Sequence, residues 1–199
     1  MTERPRTIGI FGGTFDPIHV GHLVAAVNVH FALSLDRLLL VVANQPWQKE
    51  GLRSITPAED RFAMVEAAVA AVPGLEACRI EIDRGGPSYT ADTVEEIAAT
   101  EPGASLFTVV GADAADALHS WERVDVISAL SSLVVVNRPG STLRATLDGW
   151  RVVQIEVPAL EVSSTDLRNR ARDGRPLDYL VPESVVRVIR RRGLYAGGR

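Results

Sequence analysis

The chain has a single cysteine, Cys78, and a single lysine, Lys49, among its 199 residues. A lone cysteine excludes an intramolecular disulfide and argues against a cysteine-built zinc site. Its surroundings, "LEACRIEI", read as a buried strand in which a free thiol packs as a small hydrophobe. Basic charge is therefore carried almost wholly by arginine, and the net charge of -4 lacks the basic excess that general nucleic-acid binding relies on. No apolar run reaches the length of a membrane span, and the opening "MTERPRTIGIF" has no signal-peptide core. These absences predict a cytoplasmic protein with neither nucleic acid nor membrane as a partner; a homo-oligomer is left open. What is present is a hydrophobic fraction of 46% against 23% charged residues, enough to build a large core and to exclude disorder.

Apolar runs rich in β-branched residues alternate with helical patterns along the chain. Strands are predicted at 7–11, 37–43, 76–82, 105–111, 133–137 and 151–157. Between them fall a helix over 20–33, one opening at Thr56 with Pro57 and Glu59 as a capping box, one over 90–99, and a helical stretch bearing Trp121. Two more helices close the chain, the first opening at "SSTDLRNR" and stopping near Gly174, the second running from Pro182 to Gly193. Strands separated by helix-length segments imply right-handed crossovers and an α/β fold: a Rossmann-like, mostly parallel, doubly wound sheet of about six strands. We read residues 1–199 as one domain, with 1–157 forming the sheet core and 158–199 a small helical portion. Ligands of such sheets bind beyond the carboxyl ends of the strands, so the residues that follow each strand carry the chemistry.

After the first strand comes "GGTFDPIHVGH" (12–22). Gly12 and Gly13 let backbone approach a ligand without Cβ interference. A helix opening near His19 would aim its positive end at the same space, and His19 and His22, three residues apart, would share one face. Their donors could reach one anionic group together. Asp16, His19 and His22 also have metal-ligand chemistry, but no fourth ligand is evident. Near the other end, "VSSTDLRNR" (162–170) places Ser163, Ser164 and Thr165 at a helix start with Arg168 one turn on. Hydroxyls, free N–H groups and a guanidinium fork make a second anion nest, although a plain hydroxyl N-cap would look the same.

These two stretches resemble the G-x-F-D-P-x-H-x-G-H and I-S-S-T-x-x-R signatures of the nucleotidyltransferases related to class I aminoacyl-tRNA synthetases, with Val162 replacing the isoleucine. "PSYTADTV" (87–94), "VVGADAADALHSWERV" (109–124), "VNRPG" (136–140) and the C-terminal "LVPESVVRVIRRRGLY" resemble, within that superfamily, the bacterial nicotinate-nucleotide adenylyltransferases. The resemblance spans nearly the whole chain. It implies adenylyl transfer from ATP to nicotinate mononucleotide, a step of NAD biosynthesis, with Mg²⁺ accompanying ATP and held mainly by its phosphates.

The same resemblance implies the site. His19, His22, Lys49 and Arg168 would supply catalytic charge. Gly12, Gly13, Thr14, Phe15, Gly111, Asp113, Arg138, Ser163, Ser164 and Thr165 would join His19, His22 and Arg168 around ATP. Thr14, Lys49, Tyr89, Thr90 and Trp121 would hold the mononucleotide, Trp121 by stacking on the pyridine ring. Relatives often carry Pro-Pro-His-Lys after the second strand, where this chain reads "PWQK" (46–49), so Trp47 and Gln48 stand in place of Pro and His. The nearest enzyme alternative is phosphopantetheine adenylyltransferase, disfavoured by the "SYTADTV" and "GAD…W" segments; a nucleotide-binding module without turnover is the alternative outside catalysis.

Overall fold

The computed structural model describes residues 4–46, 54–137 and 149–196. Six strands form one sheet: β1 (Thr7–Gly13), β2 (Arg37–Val42), β3 (Leu75–Cys78), β4 (Ser105–Gly111), β5 (Ser131–Asn137) and β6 (Val152–Glu156). Their order is β3-β2-β1-β4-β5-β6 and every pairing is parallel. This is the Rossmann-like architecture that the alternation of patterns predicts. The strands are linked or followed by eight α-helices among the described residues: α1 (Val20–Ala32), α2 (Ala58–Val69), α3 (Ile80–Arg84), α4 (Thr90–Thr100), α5 (Ala112–Asp116), α6 (Val124–Leu130), α7 (Ser164–Arg172) and α8 (Glu183–Arg192). None is long and apolar enough to cross a membrane.

Both faces of the sheet are covered, which explains the unbroken apolar runs of its central strands. Leu38, Leu40 and Val42 of β2 face one way and pack with Val29 of α1, Met64 and Val65 of α2, Leu167 of α7 and Val185 and Ile189 of α8. Leu39 and Val41 face the other way, joining Ile8 and Ile10 of β1 to Ala91, Val94 and Ile97 of α4 and Ile127 of α6. Gly9 lies between two such neighbours: a Cβ there would sit 2.3 Å from Leu38 Cδ1 and 2.7 Å from Leu35 Cδ1.

Two local expectations are corrected. The strand predicted over 76–82 spans Leu75–Cys78, and Ile80–Arg84 is helical instead. As an edge strand, β3 pairs with β2 alone and its register ends at Val41↔Cys78, so nothing holds the following residues extended. The predicted capping box at Thr56 does not form; the helix opens at Ala58, and no side chain caps it. The N-cap falls on Pro57, one residue past Thr56; the Thr56 hydroxyl lies by the Tyr195 phenol and Glu59 pairs with Arg79 (2.9 Å). The stops at Gly174 and Gly193 agree with the sequence reading, each glycine adopting the left-handed φ that ends a helix.

Arg61 of α2 is the largest fully buried side chain in the molecule's described part. Its Nε donates to Thr56 O (2.7 Å), Nη1 to Thr14 O (2.9 Å) and Ala43 O (2.6 Å), and Nη2 to Asn44 O (3.0 Å). One planar group thus ties the turn after β1, the segment after β2 and the start of α2. Arg61→Met should lower the unfolding free energy by about 3 kcal/mol or more, because buried carbonyls lose their donors. Urea denaturation should show Arg61→Lys falling between the two, whereas the exposed Arg187→Met should change stability by less than about 0.5 kcal/mol.

Candidate active site

The sheet changes direction between β1 and β4. From β1 the chain runs outward through β2 to β3, and from β4 outward through β5 to β6, so a crevice opens where those two central strands end. β1 stays paired with β2 to its last residue, Gly13↔Val42, but its register with β4 stops at Ile10↔Thr108. The last three residues of β1 therefore line a gap. Gly12 and Gly13 belong to this strand end and not to the turn after it. A Cβ on Gly12 would meet nothing within 4 Å, leaving that backbone open to a ligand; one on Gly13 would strike the Phe15 ring at 2.7 Å. Phe15 is buried in the left-handed region (φ 48), held there by edge-on ring contacts with Phe11 and His22. Thr14 carries the carbonyl that Arg61 grips.

The two histidines open α1 together. His19 is the N-cap and His22 lies three residues on, with ring centroids 3.7 Å apart and planes 28° from parallel. The His19 backbone N–H donates to His22 Nδ1 (3.3 Å), so a neutral His22 carries its proton on Nε2. His19 is buried, which pushes its pKa down to about 4, and its Nδ1 has no hydrogen-bond partner. In the ligand-free protein His19 is therefore neutral at pH 7. Gly21 makes the stack fit, because a Cβ there would lie 3.1 Å from both the His19 ring and Val162. The first helical N–H, of Val20, is already bonded to Leu180 O (3.0 Å), so the helix start presents fewer open donors than the sequence suggests.

The second motif docks directly on the first. Ser163 caps α7, its Oγ accepting the Asp166 N–H (3.2 Å). Ser164 Oγ donates to Pro17 O (2.9 Å), and Arg168 Nη1 donates to Asp16 O (2.7 Å) while Nη2 reaches Thr165 Oγ1 (3.1 Å). Residues some 150 apart in sequence are thereby fixed side by side. Asp16 is also buried, and its Oδ1 accepts the phenol proton of Tyr195 (2.8 Å). Burial and the Asp16 charge push the Tyr195 pKa up, so this phenol remains a donor.

A cavity of about 550 Å³ runs through the crevice. It is lined at one end by Gly12, His19, His22, Ser163 and Arg168, and at the other by Ser88, Tyr89, Thr90, Trp121 and Glu122, with Gly111 on the β4 wall. Tyr89 is the N-cap of α4 and Thr90 its first residue, so the open end of that helix faces the cavity. Trp121 follows a 3-10 turn (Leu118–Ser120), packs on two apolar clusters and keeps its buried Nε1 without a partner. Asp113 is exposed on the first turn of α5 and is not part of the cavity wall, although its neighbours Gly111 and Ala114 are. Lys49 and Arg138, with Trp47 and Gln48, lie outside the described residues.

Sequence reasoning passed over Arg61, Glu81 and Tyr195. Arg61 occupies a core position in the stripe Arg61, Met64, Val65, Ala68, where a charged residue breaks the helical pattern; that break was the available signal. Glu81 lay hidden inside a mistaken strand, and Tyr195 meets Asp16 only through the tertiary fold. Among the described residues no group of three or more His, Cys, Asp or Glu is placed to hold a metal ion. Asp16 is turned to Tyr195 and the two imidazoles are turned to each other.

A cytidylyltransferase-like family model matches residues 10–170, and the chain belongs to that class of nucleotidyltransferases. A protein of Corynebacterium kroppenstedtii described as a "probable nicotinate-nucleotide adenylyltransferase" is 48% identical over 98% of this chain and 92% of its own length. One of Acidothermus cellulolyticus with the same description is 44% identical over the full length of both. At this similarity the chain is a member of the nicotinate-nucleotide adenylyltransferase family within that class. The Plasmodium falciparum nicotinic acid mononucleotide adenylyltransferase complexed with NaAD superposes with a TM-score of 0.75 over 96% of this chain at 16% identity, a likeness of fold.

The depressed His19 pKa has a consequence for folding. Above about pH 6.5 neither state binds a proton at this ring, and the native state carries no penalty. As the pH falls towards about 4 the unfolded chain takes up a proton that the native state refuses, so stability declines by up to about 3 kcal/mol. Denaturant titrations between pH 7 and 4 should show this loss, and His19→Gln should remove that component of the slope.

Proposed function

We infer that the enzyme transfers the adenylyl group of ATP to nicotinate mononucleotide, giving deamido-NAD and pyrophosphate, a step of NAD biosynthesis. One observation carries the reading: Ser164 and Arg168 are bonded to the backbone of the Asp16–Pro17 turn, which joins two phosphate-type motifs at one end of a cavity whose other end is aromatic and helix-capped. ATP phosphates fit between His19, His22 and the Ser163–Arg168 helix start, with Gly12, Gly13, Thr14 and Phe15 beneath them. Thr14, Tyr89, Thr90 and Trp121 suit the mononucleotide, the free N–H groups at the start of α4 facing its ring carboxylate and Trp121 its ring. Gly111, on the β4 wall, suits the adenosine, and Asp113, off that wall, is proposed beside it. Lys49 and Arg138, from the segments after β2 and β5, complete the proposed set.

The nucleophile is the acceptor's own 5′-phosphate, whose second pKa of about 6 leaves it mostly dianionic at neutral pH. No general base is required, so the protein's work is alignment and charge stabilisation. His22 offers an Nε2–H donor. His19 is neutral when the cavity is empty, and a polyphosphate beside it raises its pKa, so binding and protonation reinforce each other. Arg168, oriented through Asp16 O and Thr165, brings a fixed guanidinium to the leaving pyrophosphate. Mg²⁺ is expected to arrive with ATP, ligated by phosphate oxygens and water, a mode that needs no protein cluster; it supplies further charge neutralisation. A cytoplasmic location and a one-domain organisation over 1–199 accompany this reading.

Pyrophosphate release from ATP and Mg²⁺ should be fastest with nicotinate mononucleotide, against nicotinamide mononucleotide and phosphopantetheine as rival acceptors. A folded, ATP-binding sample with no turnover on any acceptor would sink the assignment. His19→Ala should lower kcat by about 10²-fold or more, the range for a lost transition-state donor. Trp121→Ala should raise the KM for the mononucleotide and leave that for ATP near its original value; unfolding instead would return Trp121 to a core role.

A further inference from the structure

Glu81 places a carboxyl group in the wall of a cavity whose proposed acceptor is itself anionic, and burial pushes its pKa up. It is 6% exposed and takes no part in the mechanism above. A carboxylate buried to this degree is costly unless its lone pairs are met. Its polar neighbours belong to the segment proposed to read the acceptor. Thr93 Oγ1 donates to Glu81 Oε1 at 2.7 Å, and Arg84 Nη2 donates to that same hydroxyl at 2.9 Å, which directs its one proton to the carboxylate. The Ser88 hydroxyl is a second polar neighbour, one that favours the carboxylate form.

Ser88 is in turn held from the β2 side. Its Oγ accepts the Asn44 N–H at 2.8 Å, and its own N–H donates to Gln45 O at 3.0 Å. Ser88 and Thr93 flank Tyr89 and Thr90, the cap and first residue of α4. Glu81 thus bonds the chain on one side of the helix start, at Thr93, and faces Ser88 on the other. We propose that Glu81 is a positioning residue for the acceptor: by fixing Ser88 and Thr93 it sets where the open N–H groups of α4 stand, and so how well the enzyme holds a ring carboxylate. This rests on the functional reading above.

The test uses the full chain carrying Glu81→Gln, Ser88→Ala or both, with steady-state kinetics for each substrate and thermal unfolding. Glu81→Gln should raise the KM for nicotinate mononucleotide about tenfold, the loss expected when a charge-assisted bond is weakened. The KM for ATP should stay within about twofold, because the phosphate motifs lie at the other end of the cavity. Ser88→Ala should act in the same direction, and the double variant should fall short of the product of the two single penalties, since both weaken the Glu81–Ser88 pair. Equal rises in both KM values, or penalties that multiply in the double variant, would overturn the inference. If Glu81→Gln does not fold, Ser88→Ala decides: an acceptor KM at the wild-type value overturns it. A wild-type enzyme that ignores nicotinate mononucleotide overturns the functional reading and this inference together. A wild type that uses it, beside a folded Glu81→Gln variant with unchanged acceptor KM, overturns this inference alone.

Discussion

The Arg61 guanidinium is the joint on which the rest of the site depends. Parallel strands end in free carbonyls, and at a switch point those carbonyls belong to loops that diverge and leave a cavity between them. Water could satisfy each carbonyl singly but would fix none relative to another. Arg61 gathers the carbonyls of Thr14, Ala43, Asn44 and Thr56 around one rigid plane. Lysine has a single nitrogen and could not span that set, which is the physical reason for arginine here. The burial of a charge is the cost, and the hydrogen bonds to its N–H groups offset it.

From that joint two chains of contacts reach the two ends of the cavity. Through Thr14 the guanidinium fixes the turn that leads to His19, and Asp16 and Pro17 in that turn receive Arg168 and Ser164. Through Asn44 it fixes the segment whose N–H holds Ser88, and Ser88 leads to Glu81 and Thr93. The two ends of the cavity are therefore positioned against one buried group. For a reaction that depends on alignment of two substrates more than on a basic side chain, a common reference of this kind matters, because small relative displacements of the reacting groups carry large rate penalties.

What the sequence reveals follows the range over which each interaction acts. Central strands were legible because burial on both faces forces continuous β-branched runs, as in "RLLLVV" and "LVVV". The histidine turn was legible because its glycines, proline and histidines lie within eleven residues. Ser163 as a helix cap was legible from local chemistry, as was Gly193 as a stop. β3 was misjudged at its carboxyl end, since "RIEI" alternates like a strand and only the absence of a second neighbour lets it coil. Thr56 and Glu59 have the chemistry of a capping box, yet both serve partners that a local reading could not supply. The contacts of Arg61, Glu81 and Tyr195 span from 12 to 179 residues, excepting Arg61 to Thr56 and Glu81 to Ser88, and no local pattern encodes them.

The neutral, buried His19 shows how such a site can be ready for an anion without already holding a charge. A permanently charged pair of stacked imidazoles at 3.7 Å would repel, and burial would add to that cost. Leaving His19 uncharged removes both penalties from the empty enzyme. In the proposed reaction a bound polyphosphate would supply the field that favours protonation, so positive charge would develop where and when negative charge is bound. Arg168 cannot work this way, because its guanidinium is always charged. It is kept at the cavity edge, half-buried and tied to Asp16 O and Thr165, where solvent and carbonyl dipoles satisfy it between turnovers. His19 and Arg168 thus stand at one end of the cavity in opposite states, one uncharged in the interior and one charged at the rim.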